Sequence, residues 1–244
     1  MENKRAIIIG ATSGIGQETA RQLLEEGWTI GIAGRRNDRL QEFKAKSPNK
    51  IFTQEIDIRK EDAAEQLKKL IEKLGGMDLY LHCSGIGKQN MQLNSEIEIN
   101  TLETNGTGFV RMITAAYNYF KTRGRGHIAV VSSIAGTKGL GTAPSYSATK
   151  RFQNTYIDAL EQLAHMQKTD ITFTDIRPGF VATDLLNDGK SYPMLMRTED
   201  VARHIIHAIN HKKRIATIDW KYRLLVAFWR LIPRCVWKQM PVHN

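Results

Sequence analysis

The chain has 244 residues and a net charge of +10, with 41% hydrophobic and 25% charged residues. That length and balance exclude a disordered or collagen-like chain and leave room for a full core in one α/β domain. Its two cysteines, Cys83 and Cys235, make no disulfide framework and suit a reducing cytosol, and no apolar run nears the ~20 residues of a spanning helix.

The chain enters a strand-like run, Ala6–Ile9, within a few residues, which leaves no room for a signal peptide. Gly10-Ala11-Thr12-Ser13-Gly14-Ile15-Gly16 follows and opens a helical pattern over Gly16–Glu26. Glycines between a first strand and a first helix let the backbone turn tightly and approach a pyrophosphate, which the free N–H groups of the helix bind. Further strands are expected at Thr29–Ala33, Ile51–Ile56, Asp78–His82, His127–Ser132, Ile171–Ile176 and Arg214–Ile218. Helices are expected at Asp38–Lys46, Glu61–Leu74, Leu102–Arg123, Tyr146–Met166 and Glu199–His211, the last with Thr198 as its N-cap. Short Ile- and Val-rich strands alternating with helices predict a doubly wound parallel α/β sheet of seven strands, the three-layer Rossmann arrangement, with ligands outside the carboxyl ends. Residues 1–218 form this domain, and 219–244 make a basic aromatic extension.

Ser133, Tyr146 and Lys150 are the most informative positions. Tyrosine and lysine at i and i+4 share one helix face, and an ammonium beside a phenol favours the phenolate. Acid–base work by a phenol at pH 7 needs a shift of about 3 units, or roughly 4 kcal/mol. The thirteen-residue spacing picks Ser133 as the active serine, with Ser132 serving the backbone. No ligand-like Cys/His spacing points to a metal.

With these residues, and with glycines spaced G-x-x-x-G-x-G, the sequence resembles the standard short form of the short-chain dehydrogenase/reductase family from residue 5 to about 218. The resemblance implies hydride transfer between a nicotinamide cofactor and a carbonyl/alcohol pair. Tyr146 would be the acid–base group, with Ser133 orienting the substrate oxygen. Lys150 would lower the Tyr146 pKa and hold the nicotinamide ribose, and Asn105 would anchor a water linking Lys150 to solvent. The resemblance further implies that Gly10, Gly14 and Gly16 cradle the pyrophosphate, with Ser13 and Ile15 lining that loop. Asp57 would contact adenine, with Ile58 beside it, and the Pro178-Gly179 turn would bring Thr183 to the carboxamide. His82-Cys83-Ser84-Gly85 departs from the family's Asn-Asn-Ala-Gly; Gly85 is kept, and Cys83 reads as a small buried residue rather than a reactive thiol.

Gly34 occupies the position where NAD enzymes place an acid, and Arg35 follows it, which favours NADP(H) over NAD(H). Residues 184–197 would form the substrate loop. Ile86, Leu140, Phe180, Leu185 and Met194 are expected to wall a site for an apolar or amphipathic carbonyl or alcohol. The competing readings are an NAD-linked hydroxysteroid-type dehydrogenase and a catalytically silent cofactor-binding protein at a membrane surface.

Residues 201–244 carry nine Lys/Arg against the single acid Asp219, so +8 of the charge lies there. Trp220–Ile232 reads as a helix stopped by Pro233, with Leu224, Leu225, Phe228, Leu231 and Ile232 as an apolar stripe. Two readings of it stay open: packing on its own domain or on a second subunit of a homo-dimer or homo-tetramer, and attachment to the inner membrane surface of a cytoplasmic protein. No base-reading motif supports nucleic acid.

Overall fold

The structure, a computed structural model, describes residues 4–186, 189 and 191–242; positions 187, 188 and 190 of the expected substrate loop and the two chain ends lie outside the described residues. Seven strands, β1 (Arg5–Ile9), β2 (Thr29–Gly34), β3 (Ile51–Glu55), β4 (Leu79–His82), β5 (Arg125–Val131), β6 (Asp170–Pro178) and β7 (Ile215–Ile218), form one parallel sheet. Their order is β3-β2-β1-β4-β5-β6-β7. Strand order therefore reverses between β1 and β4, and the crevice at their carboxyl ends is the topological switch point where such sheets take ligands.

Strand β1 shows why the sheet is buried on both sides. Its Ile7 and Ile9 belong to one core cluster and its Ala6 and Ile8 to the other. The first cluster lies under α3 (Ala63–Leu74), α5 (Phe109–Arg123) and α6 (Pro144–Met166), the second under α1 (Gly14–Glu25), α2 (Asn37–Ala45) and α7 (Thr198–Asn210). Both clusters are dominated by aliphatic side chains, as strands covered on two faces require.

The structure corrects the sequence reading in four places. The expected helix over Leu102–Arg123 is a π-helical turn over Glu103–Gly108 running into α5, and a helix not expected, α4 (Ser95–Leu102), leads into it. Asn94 caps α4, its side chain accepting from the N–H groups of Glu96 and Ile97. Helix α7 starts at Thr198 itself, so Arg197 holds the N-cap position and no side chain caps it. Helix α6 starts at Pro144, a favourable first helical residue because its ring presets φ.

The fourth correction concerns the chain end. Helix α8 (Trp220–Leu231) is followed by Pro233 and the single turn α9 (Arg234–Trp237). Its buried face is Tyr222 and Val226, flanked by the partly buried Leu225 and Trp229. Leu224, Phe228 and Leu231 of the apolar stripe, for which packing was one of two readings, are 63, 62 and 80% exposed. The choice of face is set by Tyr222, whose ring lies flat on Gly179, where an added Cβ would come within 2.1 Å of it. Among the described residues no helix is long and apolar enough to cross a membrane.

Candidate active site

The loop after β1 is bare backbone. Gly10 has φ +87° and Gly14 φ +57°, a region that disfavours side chains. A Cβ at Gly16 would sit 2.2 Å from the Gly10 carbonyl oxygen, and one at Gly10 would sit 2.7 Å from Ser84 N. The structure brings Thr183 to this loop, its Cγ2 lying 3.1 Å from a Cβ built on Gly14. Ile15 packs partly on the core behind the loop.

Arg36 reaches across the loop. Its guanidinium donates to Thr12 Oγ1 at 3.0 Å and Ser13 Oγ at 2.7 Å and pairs with Asp184 at 3.8 Å. Arg35 stands exposed on the other side, near enough to Asp57 to help hold its carboxyl below the usual range, though the hydrogen-bonded Arg59 is the main cause. Arg59 takes both Asp57 oxygens, at 3.2 and 2.9 Å. The room at Gly34 is filled by Thr12, whose Cγ2 lies 2.7 Å from the position of an added Cβ. Ile58 sends its side chain into the core, so only its backbone is left for a ligand.

The carboxyl ends of β4 and β5 carry the polar centre. Ser133, in the N-cap position of a 3-10 turn over Ile134–Thr137, accepts from Ala135 N and hydrogen-bonds the Tyr146 phenol. Lys150 lies 5.7 Å from the Tyr146 ring centroid, and its Nζ donates to Val131 O at 3.2 Å and to Gln153 Oε1 at 3.1 Å. Gln153 in turn donates to Asn105 O at 2.9 Å. The Asn105 side chain clamps Ile86, accepting from its N–H at 2.9 Å and donating to its carbonyl at 2.7 Å. Gly85 fits between Asn105 and Lys150, with 3.3 and 3.4 Å from an ideal Cβ to their polar atoms. The π-helical turn makes this possible, since it widens the helix at Asn105 and turns its side chain and carbonyl to different partners.

The electrostatics differ from the expected ones. Burial pushes the Tyr146 phenol above its ordinary range, and the Ser133 hydrogen bond offsets only part of that. Lys150 is itself brought down to about 8 by burial, against the opposing pull of Asp175 and Cys83. Burial disfavours both the ammonium and the phenolate, and that penalty keeps the Tyr146 phenol raised despite the nearby Lys150. Burial pushes the Cys83 thiol up to about 12 and His82 down to about 3, leaving both neutral at pH 7.

Several supporting residues carry no local sequence signal. Glu98 accepts from Ser145 N at 2.9 Å, and so holds the first turn of the helix that bears Tyr146. Asp175, fully buried, accepts from Ser132, from Asn154 at 2.8 Å and from Arg177 at 2.6 Å, and the Ser132 hydroxyl also lies 3.2 Å from the backbone oxygen of Ile176. The Tyr222 hydroxyl accepts from Phe180 N and lies 3.1 Å from the carbonyls of Pro193 and Met194, tying α8 to the Pro178-Gly179 turn and to the loop expected to take the substrate. Of the expected substrate wall, Phe180 packs beside Tyr222 and Tyr192, while Leu185 and Met194 stand exposed in the loop. Leu140 lines a different cleft, facing the chain end. Among the described residues no cluster of His, Cys, Asp and Glu could hold a metal.

Comparison with known proteins gives the family of the chain. The family model described as short chain dehydrogenase matches residues 4–192. An uncharacterized oxidoreductase of Myxococcus xanthus is 30% identical over 240 residues, covering 96% of this chain and 94% of its own. A glycine betaine reductase of Emericella nidulans is 31% identical over 236 residues, which is 88% of this chain but 18% of that larger protein. Among solved structures, a serine dehydrogenase complexed with NADP+ superposes with a TM-score of 0.78 at 23% identity, covering 88% of this chain and 94% of its own. ElxO with NADP bound gives 0.80 at 21% identity over 91 and 99%. The two solved structures are likenesses of fold.

Proposed function

The chain belongs to the short-chain dehydrogenase family of oxidoreductases, and from that premise we propose that it interconverts a carbonyl and a secondary alcohol, using NADP(H), with Tyr146 as the acid–base group. The observation that carries this reading is the buried meeting of Ser133, Tyr146 and Lys150 beside a loop with no room for a side chain at Gly10 or Gly16. Such a loop fits a dinucleotide, whose pyrophosphate needs close backbone approach. Gly10 to Gly16, Asp57, Gly85, Gly179 and Thr183 would hold it, with Arg35 and Arg36 toward a 2′-phosphate. When bound, the cofactor supplies the hydride that reduces the carbonyl carbon.

The chain's own residues handle the proton. A phenol held above its ordinary pKa stays protonated at pH 7, so Tyr146 is loaded as an acid for the reductive direction. Ser133 donates to the same substrate oxygen as charge develops on it, a fixed dipole needing no reorganisation. Lys150, near 8, would give a proton back to the Tyr146 phenolate and take one in turn from solvent, which closes the cycle. Gln153 and Val131 O fix its position. Replacing Tyr146 with Phe should abolish turnover and leave NADPH affinity unchanged; undiminished turnover would overturn the mechanism. For cofactor choice, Arg35→Ala/Arg36→Ala should weaken NADPH and spare NADH, and an equal loss of both would remove the argument.

The substrate reading is an apolar or amphipathic carbonyl compound, supported by Phe180, Leu185 and Met194. A homo-dimer or homo-tetramer is proposed on the family resemblance. For the outward face of α8, Leu224, Phe228 and Leu231 exposed amid Lys221, Arg223 and Arg230 favour contact with an anionic membrane surface. Flotation with phosphatidylglycerol vesicles tests it: Leu224→Ser/Phe228→Ser should stay behind. Loss of a dimer in that variant, without vesicle binding by the parent, would assign the face to a second copy.

A further inference from the structure

The connection from the 3-10 turn to α6 and the last residues of the chain face each other across a cleft of about 1060 Å³. Its apolar lining includes Met91, Leu140, Trp237 and Met240. Its charged lining is Lys138, Arg151, Arg234 and Lys238, with no aspartate or glutamate. Trp237 Nε1 donates to Gly139 O at 2.8 Å, and Lys138 Nζ donates to Ile232 O at 2.8 Å while lying 5.6 Å from the Trp237 ring centroid. Those contacts tie the two walls together and occupy Lys138. Arg151, Arg234 and Lys238 have no ion-pair partner among the described residues. Thr137, also in the wall, has a buried hydroxyl with no hydrogen-bond partner, an uncompensated group of a kind native folds seldom leave.

This cleft is not the catalytic crevice. Ser147 and Arg151 line it, each one residue past Tyr146 and Lys150 and so about 100° further round α6. Ser133, Tyr146 and Lys150 are absent from the lining.

We propose that the cleft is a second ligand site, taking an amphipathic anion whose carboxylate or phosphate head is held by Arg151 and Arg234 and whose alkyl chain lies along Trp237, Met240 and Leu140. Guanidinium groups match carboxylate and phosphate geometry and give up their hydration readily. The volume is at the upper end of the ~300–1,000 Å³ of small-molecule sites, which suits a chain rather than a compact anion. A second copy is a poor occupant, because an isologous contact would set the same cations against each other.

Isothermal titration of the full chain, at saturating NADPH, tests the site with octyl phosphate, octanol and inorganic phosphate. Octyl phosphate is expected to bind at least roughly tenfold tighter than either fragment. Arg151→Glu/Arg234→Glu and, separately, Met240→Asp should each weaken it by about the same factor while NADPH affinity holds. Equal binding of octyl phosphate and inorganic phosphate, variants that retain full affinity, or no binding of octyl phosphate at saturating NADPH where the cofactor-free chain binds it would each overturn the proposal. Binding confined to anionic vesicles, with none to monomeric octyl phosphate, would overturn it in favour of a membrane surface.

Discussion

Lys150→Met is a test of the buried ammonium that does not depend on catalysis. In the folded chain burial lowers Lys150 from its ordinary 10.5 to about 8. Between those values the unfolded chain binds more protons than the folded one, so stability rises with pH. Below pH 8 both states are protonated and the ammonium costs the folded state about 3 kcal/mol; above 10.5 that cost is gone. Integrated from pH 7 to pH 9.5, the gain is about 2 kcal/mol. The methionine variant cannot titrate there, and the coupled Cys83 and His82 stay neutral in both folded chains from pH 7 to 9.5, so the difference between the two isolates Lys150. Urea denaturation at the two pH values should show the parent gaining about 2 kcal/mol on the variant as pH rises. The absolute offset at pH 7 carries the lost hydrogen bonds to Val131 O and Gln153 as well, and the pH-dependent part does not. A difference that stays constant from pH 7 to 9.5, or that moves against the parent, would refute the buried-ammonium account.

Three further outcomes follow from the geometry. Gly16→Ala drives a Cβ to 2.2 Å from the Gly10 carbonyl, so the cradle must open and NADPH affinity, read by fluorescence titration, should fall by an order of magnitude or more. Asp175→Ala leaves the Arg177 guanidinium buried without its carboxylate, and chemical denaturation should show a loss of about 3–5 kcal/mol. Tyr222→Phe keeps the ring on Gly179 but deprives Phe180 N–H of its acceptor, at about 1–3 kcal/mol; steady-state kinetics should show KM rising more than kcat falls as the substrate loop loosens.

The sheet was legible because its signals are local. Isoleucine-rich runs of four to six residues and a glycine cluster after the first of them leave few alternatives to a parallel sheet with a bare βα turn. The Ser133, Tyr146 and Lys150 set was legible for the same reason, being fixed by spacing along a turn and one helix. Helix α4 was not, because Ser95-Glu96-Ile97-Glu98-Ile99 alternates polar and apolar residues like a strand, and its Ile99 and Leu102 end up exposed. The π-helical turn at Asn105 was hidden since it depends on Gly108 meeting Ile58, 50 residues earlier in the chain. Arg35 and Arg36 differ only in which side of the strand end they leave by, so the one reaching Ser13 could not be picked from composition. In α8 the longer apolar stripe lost to Tyr222, whose partner is a glycine more than 40 residues away.

That last misreading bears on how the chain end can be studied. The extension is attached to the domain at two places: Tyr222 reaches Phe180, Pro193 and Met194 on one side, and Trp237 and Ile232 reach Gly139 and Lys138 on the other. The first set bounds the substrate loop, and the second sits in the connection between Ser133 and Tyr146. A chain ending at 218 would free both walls at once, stripping the cover of Tyr222 and Val226 from Gly179, Ile134 and Phe180. Its turnover should fall at saturating cofactor whatever the outer face of α8 touches. Leu224→Ser/Phe228→Ser alters that face alone and should keep turnover within about twofold, since exposed substitutions move free energies by only ~0.5 kcal/mol. A truncated chain as active as the full one would break the argument that the extension positions the site, and an inactive Leu224→Ser/Phe228→Ser variant would show that its outer face does.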